Sequence, residues 1–323
     1  MYFSVIIPVF NRPSEIKDLL QSLSQQDYNN FEVVIVEDGS EIICKGVVDE
    51  FKSRLEIQYF YIPNAGQGFA RNFGMRKAKG EFFVLFDSDC IIPQSFLSSL
   101  FNAIQKRNLD AYGGPDTADS NFSILQKAMN YSMTSILTTG GIRGKLKDKS
   151  KYQARGYNMG LSKVAFLKSQ GFVDPNKGED IELSIRLKKM GFKLELVEEA
   201  YVYHNRKNTI WSFFKQGFSF GQNRINVSRY HSGALKIVHF MPLAFLLYWL
   251  MLLFSILVFP ITNLFLLLGI LIFASWKIAV FLHATFQNKS VLIGFLSIIT
   301  SFGQLSAYGL GLMMEGIKKI FKG

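Results

Sequence analysis

From about Leu235 to Met314 the chain is almost uncharged, and this tract constrains the fold more than any other feature. Residues 238–259 and 264–282 are each about long enough to cross a bilayer, which takes roughly 20 apolar residues. Residues 260–263, Pro-Ile-Thr-Asn, separate them, so a tight hairpin is expected. Residues 291–314 form a third uncharged run, diluted by Ser, Thr, Gln and several Gly. Apolar residues make up 49% of the 323, within the usual globular range, so the imbalance lies in their distribution. The first two thirds mix charged and apolar runs as soluble proteins do.

The formal charge of +11 suits nucleic acid, anionic lipid or phosphorylated small molecules. Zinc-finger spacing and RNA-binding aromatic signatures are absent, so no nucleic acid partner is expected. Arg206, Lys207, Lys215, Arg224, Arg229 and Lys236 crowd the approach to the apolar tract, as on a cytoplasmic membrane surface. Trp211, Phe214 and Phe218 share one helical face there, which fits a helix lying in the membrane interface. Cys44 and Cys90 lack metal-type spacing and read as reduced thiols. Met1 leads straight into a strand-like run with no basic start, so no signal peptide is expected.

The first half alternates strand and helix patterns. Residues 4–9, 31–36, 55–62 and 81–86 read as buried strands. Helical periodicity covers a segment opened by Pro13 and Ser14, then residues 68–79 and 93–107. Such alternation implies an α/β fold with a mostly parallel sheet flanked by helices. Further on, 138–155 is rich in Gly, Lys and Arg and reads as a mobile loop, with Lys147, Lys149 and Lys151 on a solvated face. Residues 180–190 read as a helix, and 157–162 and 193–203 as strands. Three segments are therefore expected: a catalytic domain over 1–205, an interfacial linker over 206–236 and a transmembrane region over 237–323.

Ligands of open α/β sheets bind beyond the carboxyl ends of the strands, and acidic residues fall there repeatedly. Asp38 follows one strand, and Asp87 and Asp89 end another. Carboxylates in an apolar site are costly unless paired or bound to metal. Two aspartates one residue apart can divide a task, one holding a ribose or water, the other a hard cation such as Mg²⁺ or Mn²⁺. The cation would neutralise a diphosphate leaving group.

These residues belong to an ordered set: Ser4-Val-Ile-Ile-Pro-Val-Phe-Asn11, Glu37-Asp38-Gly39-Ser40, Asn64-Ala-Gly-Gln-Gly-Phe-Ala-Arg71-Asn72-Phe-Gly74, Asp87-Ser-Asp89 and Gly178-Glu179-Asp180. Together they resemble family 2 glycosyltransferases of the GT-A fold, over about residues 3–205. The resemblance implies a nucleotide-sugar donor, a UDP-sugar foremost, and Mn²⁺ or Mg²⁺ as cofactor. It implies that Asp38 bonds the base, that Pro8 and Phe10 wall its pocket, and that Asp87 meets the ribose or a metal-bound water. Asp89 would bind the metal, with His204 as a further ligand like that of some relatives. Arg71 would brace the domain or face the diphosphate. Asp180 matches the catalytic base. It starts a helix, where the macrodipole favours an ionised carboxylate able to deprotonate an acceptor hydroxyl. One base opposite the leaving group suffices for inversion.

Glu37 departs from relatives that carry two aspartates before Gly-Ser. The Gln-x-x-Arg-Trp motif of processive synthases is missing; Gln222-Asn-Arg-Ile-Asn226 stands nearest. A non-processive inverting enzyme acting on a lipid-linked or membrane-associated acceptor is the expectation. The alternatives are a polyprenyl-phosphate sugar synthase and a catalytically silent membrane scaffold. The expected location is the cell (inner) membrane, multi-pass, with the catalytic domain cytoplasmic. Length favours a third span over 291–314, which would put Lys318, Lys319 and Lys322 outside against the positive-inside bias. An interfacial or re-entrant segment would keep them inside.

Overall fold

The structure, a computed structural model, divides into two compact units, Met1–Asp119 with Lys147–Asn205 and Ser120–Leu146 with Arg206–Gly323. It describes residues 1–117, 123–139, 148–204, 209–260 and 262–322.

In the first unit β1 (Phe3–Val9), α1 (Pro13–Leu23), β2 (Phe31–Asp38), α2 (Lys45–Asp49), β3 (Ile57–Ile62), α3 (Gln67–Lys77) and β4 (Phe82–Phe86) alternate as the periodicity implies. After them come β5 (Cys90–Ile91), α4 (Phe96–Arg107), β6 (Ala111–Gly113) and β7 (Asp116–Thr117). The unit ends with β8 (Asn158–Ser162), α7 (Lys163–Ser169), α8 (Glu179–Lys189), β9 (Leu194–Leu196) and β10 (Val202–His204). Seven strands form one sheet in the order β3-β2-β1-β4-β8-β6-β9. Only β8 runs against its neighbours, so the sheet is mostly parallel. A small second sheet has the order β5-β10-β7.

Alternation in β1 feeds two cores, because successive side chains of a strand face opposite ways. Val5, Ile7 and Val9 pack with Ile16, Leu19 and Leu20 of α1, while Ile6 packs with Val34 and Val36 on the other face. Each such fully buried aliphatic side chain contributes about 1.5–3 kcal/mol. Gly74 brings α3 close to that second face: a Cβ there would stand 2.6 Å from Ile6 Cγ2. The buried polar pair between β1 and β2 is satisfied, since Glu32 Oε1 accepts from Ser4 Oγ at 2.7 Å and from the Lys79 N–H at 2.6 Å.

The strand expected over 193–203 is two short strands in different sheets. β9 pairs with β6, whereas β10 pairs with β5 and β7. A turn closed by the Ala200 N–H on the Val197 carbonyl, 3.2 Å, breaks the run between them. Of the expected loop over 138–155, residues 140–147, Lys147 included, lie outside the described residues. Its end is tied down: Lys149–Lys151 forms a 3-10 turn, Lys149 pairs with Glu198 at 2.8 Å and Lys188 Nζ donates to the Tyr152 carbonyl at 2.5 Å.

The second unit contains α5 (Ile124–Thr134), α6 (Ile136–Thr139), α9 (Ile210–Tyr230), α10 (Met241–Val258), α11 (Leu264–Asn288) and α12 (Val291–Lys322). The helix α5 has no counterpart in the sequence reading, although Ser123 and Gln126 form a capping box at its start. Its Ser132 hydroxyl bonds Thr300 and Ser301 of α12 at 2.7 and 2.9 Å. Those bonds explain why α5 groups with the C-terminal helices and not with the sheet, which a division at residue 205 does not capture. Ile237–Val258, Leu264–Asn288 and Val291–Phe321 are long and apolar enough to cross a membrane. Of the aromatic face expected on α9, Trp211 is 68% exposed, but Phe214 and Phe218 lie against Gly303 and Gly311 of α12. Glycine at those two positions lets the helices approach. Arg206 and Lys207 lie outside the described residues.

Candidate active site

The parallel strands β1, β2, β3 and β4 bring their carboxyl ends to one edge of the sheet, and the acidic residues gather there. After β1, Asn11 takes a left-handed backbone, φ 55°. Its N–H donates to Ser40 Oγ at 2.8 Å, and its Oδ1 accepts from the N–H groups of Glu41 and Ile42 at 2.9 and 3.0 Å. The ends of β1 and β2 are thereby held together. Pro8 is half-buried, while Phe10 is 49% exposed and offers a free ring face at this edge.

Asp38 is buried. Its carboxylate accepts from the N–H groups of Ala65 and Gly66 at 2.7 and 3.0 Å. Gly39 has φ 74°, and a Cβ there would stand 2.6 Å from the Asn64 nitrogen, so only glycine fits the turn. Glu37 is also buried and accepts from Cys44 N–H at 2.8 Å and Tyr59 Oη at 3.0 Å. Burial and the Glu37 charge push the Cys44 thiol and the Tyr59 phenol up. Glu37 thus does a structural job beneath Asp38, which accounts for a longer acidic side chain there.

Asp87 and Asp89 follow β4, and each meets an arginine. Arg71 Nη2 is 2.5 Å from Asp87 Oδ1, and Arg12 Nη1 is 2.9 Å from Asp89 Oδ2. Arg71, on α3, is 1% exposed and also reaches Glu179 Oε1 at 3.4 Å. So buried a guanidinium has no surface to offer a ligand, and its geometry is that of a brace. The sequence assigns no role to Glu179, although it stands in the Gly178-Glu179-Asp180 motif, and none to Arg12. The motif marks Glu179, and adjacency to Asn11 is the signal that could have found Arg12.

Glu179 opens α8 and accepts from Gln67 Nε2 at 2.7 Å. Burial, and next the Asp180 charge, push its carboxyl up to about 7, with Arg71 pulling the other way. Asp180 is half-buried, and its oxygens accept from the N–H groups of Ile181 at 2.7 Å and Gly156 at 3.3 Å. A continuous chain of contacts therefore runs from Asp87 through Arg71 to Glu179, the neighbour of Asp180.

A family model described as "Glycosyl transferase family 2" matches residues 4–168, just over half of the chain. The chain belongs to glycosyl transferase family 2. Glycosyltransferase GlyG of Streptococcus pneumoniae is 28% identical over 125 residues, 37% of this chain and 42% of that protein. The poly(ribitol-phosphate) beta-N-acetylglucosaminyltransferase TarS of Staphylococcus aureus is 33% identical over 114 residues, 34% of this chain and 20% of TarS. The matched region thus spans less than half the length of these curated relatives. The crystal structure of TarS 1-349 superposes with TM-score 0.51 at 20% identity, covering 71% of this chain and 64% of that one. The mannosyltransferase PcManGT of Pyrobaculum calidifontis, solved with GDP-Man and Mn²⁺, has TM-score 0.68 at 14% identity and covers 99% of this chain and 87% of that one. These likenesses establish the GT-A type fold.

In this family 2 glycosyltransferase His204 pairs in register with Cys90 across β10 and β5, one residue from Asp89. The His204 side chain lies outside the described residues. Tyr157 Oη donates to Asp116 Oδ1 at 3.1 Å beside the same small sheet. Among the described residues no three His, Cys, Asp or Glu side chains cluster as a ready-made ion cage. Asp87 and Asp89 nevertheless supply the carboxylate oxygens that Mg²⁺ and Mn²⁺ prefer, and Mg²⁺ is commonly held by one or two carboxylates plus substrate phosphates. The donor set therefore fits a divalent ion that arrives with a diphosphate.

Proposed function

We propose that this glycosyltransferase moves one sugar from a nucleotide-diphosphate sugar to a hydroxyl of a lipid-linked or membrane-associated acceptor, without processivity and with inversion at the anomeric carbon. The observation that carries the reading is Asp180, half-buried in the first turn of α8 and coupled through Glu179 and Arg71 to Asp87. Its carboxylate, held by two N–H donors at the start of α8, is placed to accept the proton of the attacking hydroxyl. One such base supports a single displacement.

Asp38, with Pro8 and Phe10 beside it, would bind the base, and Asp87 the ribose. The TarS structures with UDP-GlcNAc and the PcManGT structure with GDP-Man support a nucleotide-sugar donor. Asp89, with His204, would hold Mn²⁺ or Mg²⁺, which would supply charge neutralisation for the departing diphosphate. The three apolar helices support attachment to a membrane, and we place the enzyme in the cell membrane with its sheet domain cytoplasmic.

A donor panel with purified protein, scoring nucleoside diphosphate release, tests the activity. On the best donor, Asp180→Asn should lower kcat by about 10²-fold or more while donor affinity changes little. An Asp180→Asn enzyme with normal kcat would remove the base, and would favour an acceptor that is already ionised, such as a polyprenyl phosphate.

A further inference from the structure

We propose that only α10 and α11 cross the membrane, as a hairpin, and that α12 stays on the entry side along the membrane surface. The inference rests on the membrane reading above. The two hairpin helices pair antiparallel: Tyr248 Oη donates to the Gly269 carbonyl at 2.6 Å, and the rings of Phe245 and Phe273 lie 6.2 Å apart. Beyond these contacts the tip is apolar and exposed at Leu253, Phe254, Leu257, Phe265 and Leu268. Two apolar helices whose tip exposes these side chains are suited to hydrocarbon.

The direction of α12 follows from what it touches. Asn288 ends α11 on the side where α10 begins, and α12 starts at Val291 on that side. Phe245 near the start of α10 meets Trp276 at 4.9 Å, so residues 277–288 of α11 lie further back still, beginning with Lys277. A third span rising from Val291 would carry Gly309 about 27 Å toward the far face, at 1.5 Å per residue. Gly309 instead meets the first turn of α10, where a Cβ on it would stand 2.6 Å from the Pro242 carbonyl oxygen. Trp249 Nε1 donates to Ser306 Oγ at 3.0 Å in the same region. Gly309 is therefore level with the point where α10 enters.

The rest of α12 is held at that level by α9, which runs alongside it. Arg229 pairs with Glu315 at 3.1 Å, and Lys319 Nζ donates to Ser228 Oγ at 2.8 Å. Charged groups in such positions belong outside hydrocarbon. The faces of α12 agree. One face buries Ser297, Thr300 and Ser301 in the protein. The opposite side exposes Leu292, Phe295 and Ile299 near its start and Leu310, Ile317 and Phe321 toward its end, with Gly303 and Ser306 between them packed against Phe214 and Trp249. Two apolar patches on one side, joined by a segment that packs on α9 and α10, suit a helix lying in the interface plane.

Single cysteines at Thr262, Lys289 and Lys318, probed with a membrane-impermeant maleimide in sealed vesicles, test the proposal. Native Cys44 and Cys90 are buried and can remain. Lys289→Cys and Lys318→Cys should react from one side and Thr262→Cys from the other, in variants that still release nucleoside diphosphate. Labelling of Lys318→Cys together with Thr262→Cys would overturn the proposal, and so would labelling of all three from one side. Carbonate washing separates the two readings: release of the wild-type protein overturns membrane insertion itself, whereas retention with Lys318→Cys on the Thr262→Cys side overturns only the placement of α12.

Discussion

Replacing Arg71 by Met probes the brace beneath the site. The side chain is 1% exposed and lies between Asp87, whose side chain is 31% exposed, and Glu179, whose side chain is 5% exposed. Removing one partner of a buried ion pair costs about 3–5 kcal/mol, mostly because the other charge stays buried without compensation. Here that cost falls on Glu179, since water still reaches Asp87, and it is felt in full only above about pH 7, where the Glu179 carboxyl is ionised. All three tryptophans, Trp211, Trp249 and Trp276, lie in the second unit, so their fluorescence does not report on the sheet. Hydrogen exchange of β1 and β4 amides does. Above about pH 7 the most protected of them should exchange about 10²–10³-fold faster in Arg71→Met. Adding Glu179→Gln removes the stranded carboxylate and should recover more than half of the loss. Exchange within threefold of wild type in Arg71→Met would refute the brace, as would a double variant no better than the single one.

Asp89→Ala should abolish Mn²⁺ binding measured by calorimetry in the presence of a nucleoside diphosphate, with β4 exchange unchanged; undiminished binding would remove Asp89 as a ligand. Glu179 makes stability pH-dependent, because burial and the Asp180 charge push its folded carboxyl up to about 7, above the ordinary glutamate value of the unfolded chain. Between those values the folded state holds the extra proton, so stability should fall as pH rises through that window. Glu179→Gln should flatten that slope in hydrogen exchange, and an unchanged slope would assign it to another group. NMR of the product should show the anomeric configuration opposite to the donor's, and retention would exclude a single displacement.

Much of the site was legible in the sequence because strand ends and Gly turns are local features. Asp38 before Gly39, Asp87 and Asp89 after an apolar run, and Asp180 at a helix start are set by their neighbours in the chain. The strands β1, β2 and β4 and the hairpin of α10 and α11 were legible likewise, since periodicity and length suffice for them. Tertiary structure decided which charges meet. The ion pair of Arg71 with Glu179 joins residues 108 positions apart, and that of Arg12 with Asp89 joins residues 77 apart. No local pattern encodes such pairs. The same holds for α12. Composition alone makes residues 291–314 a span, but the contact of Gly309 with Pro242 gives the helix its direction, because burial beside α5 and α9 depends on surfaces from distant parts of the chain.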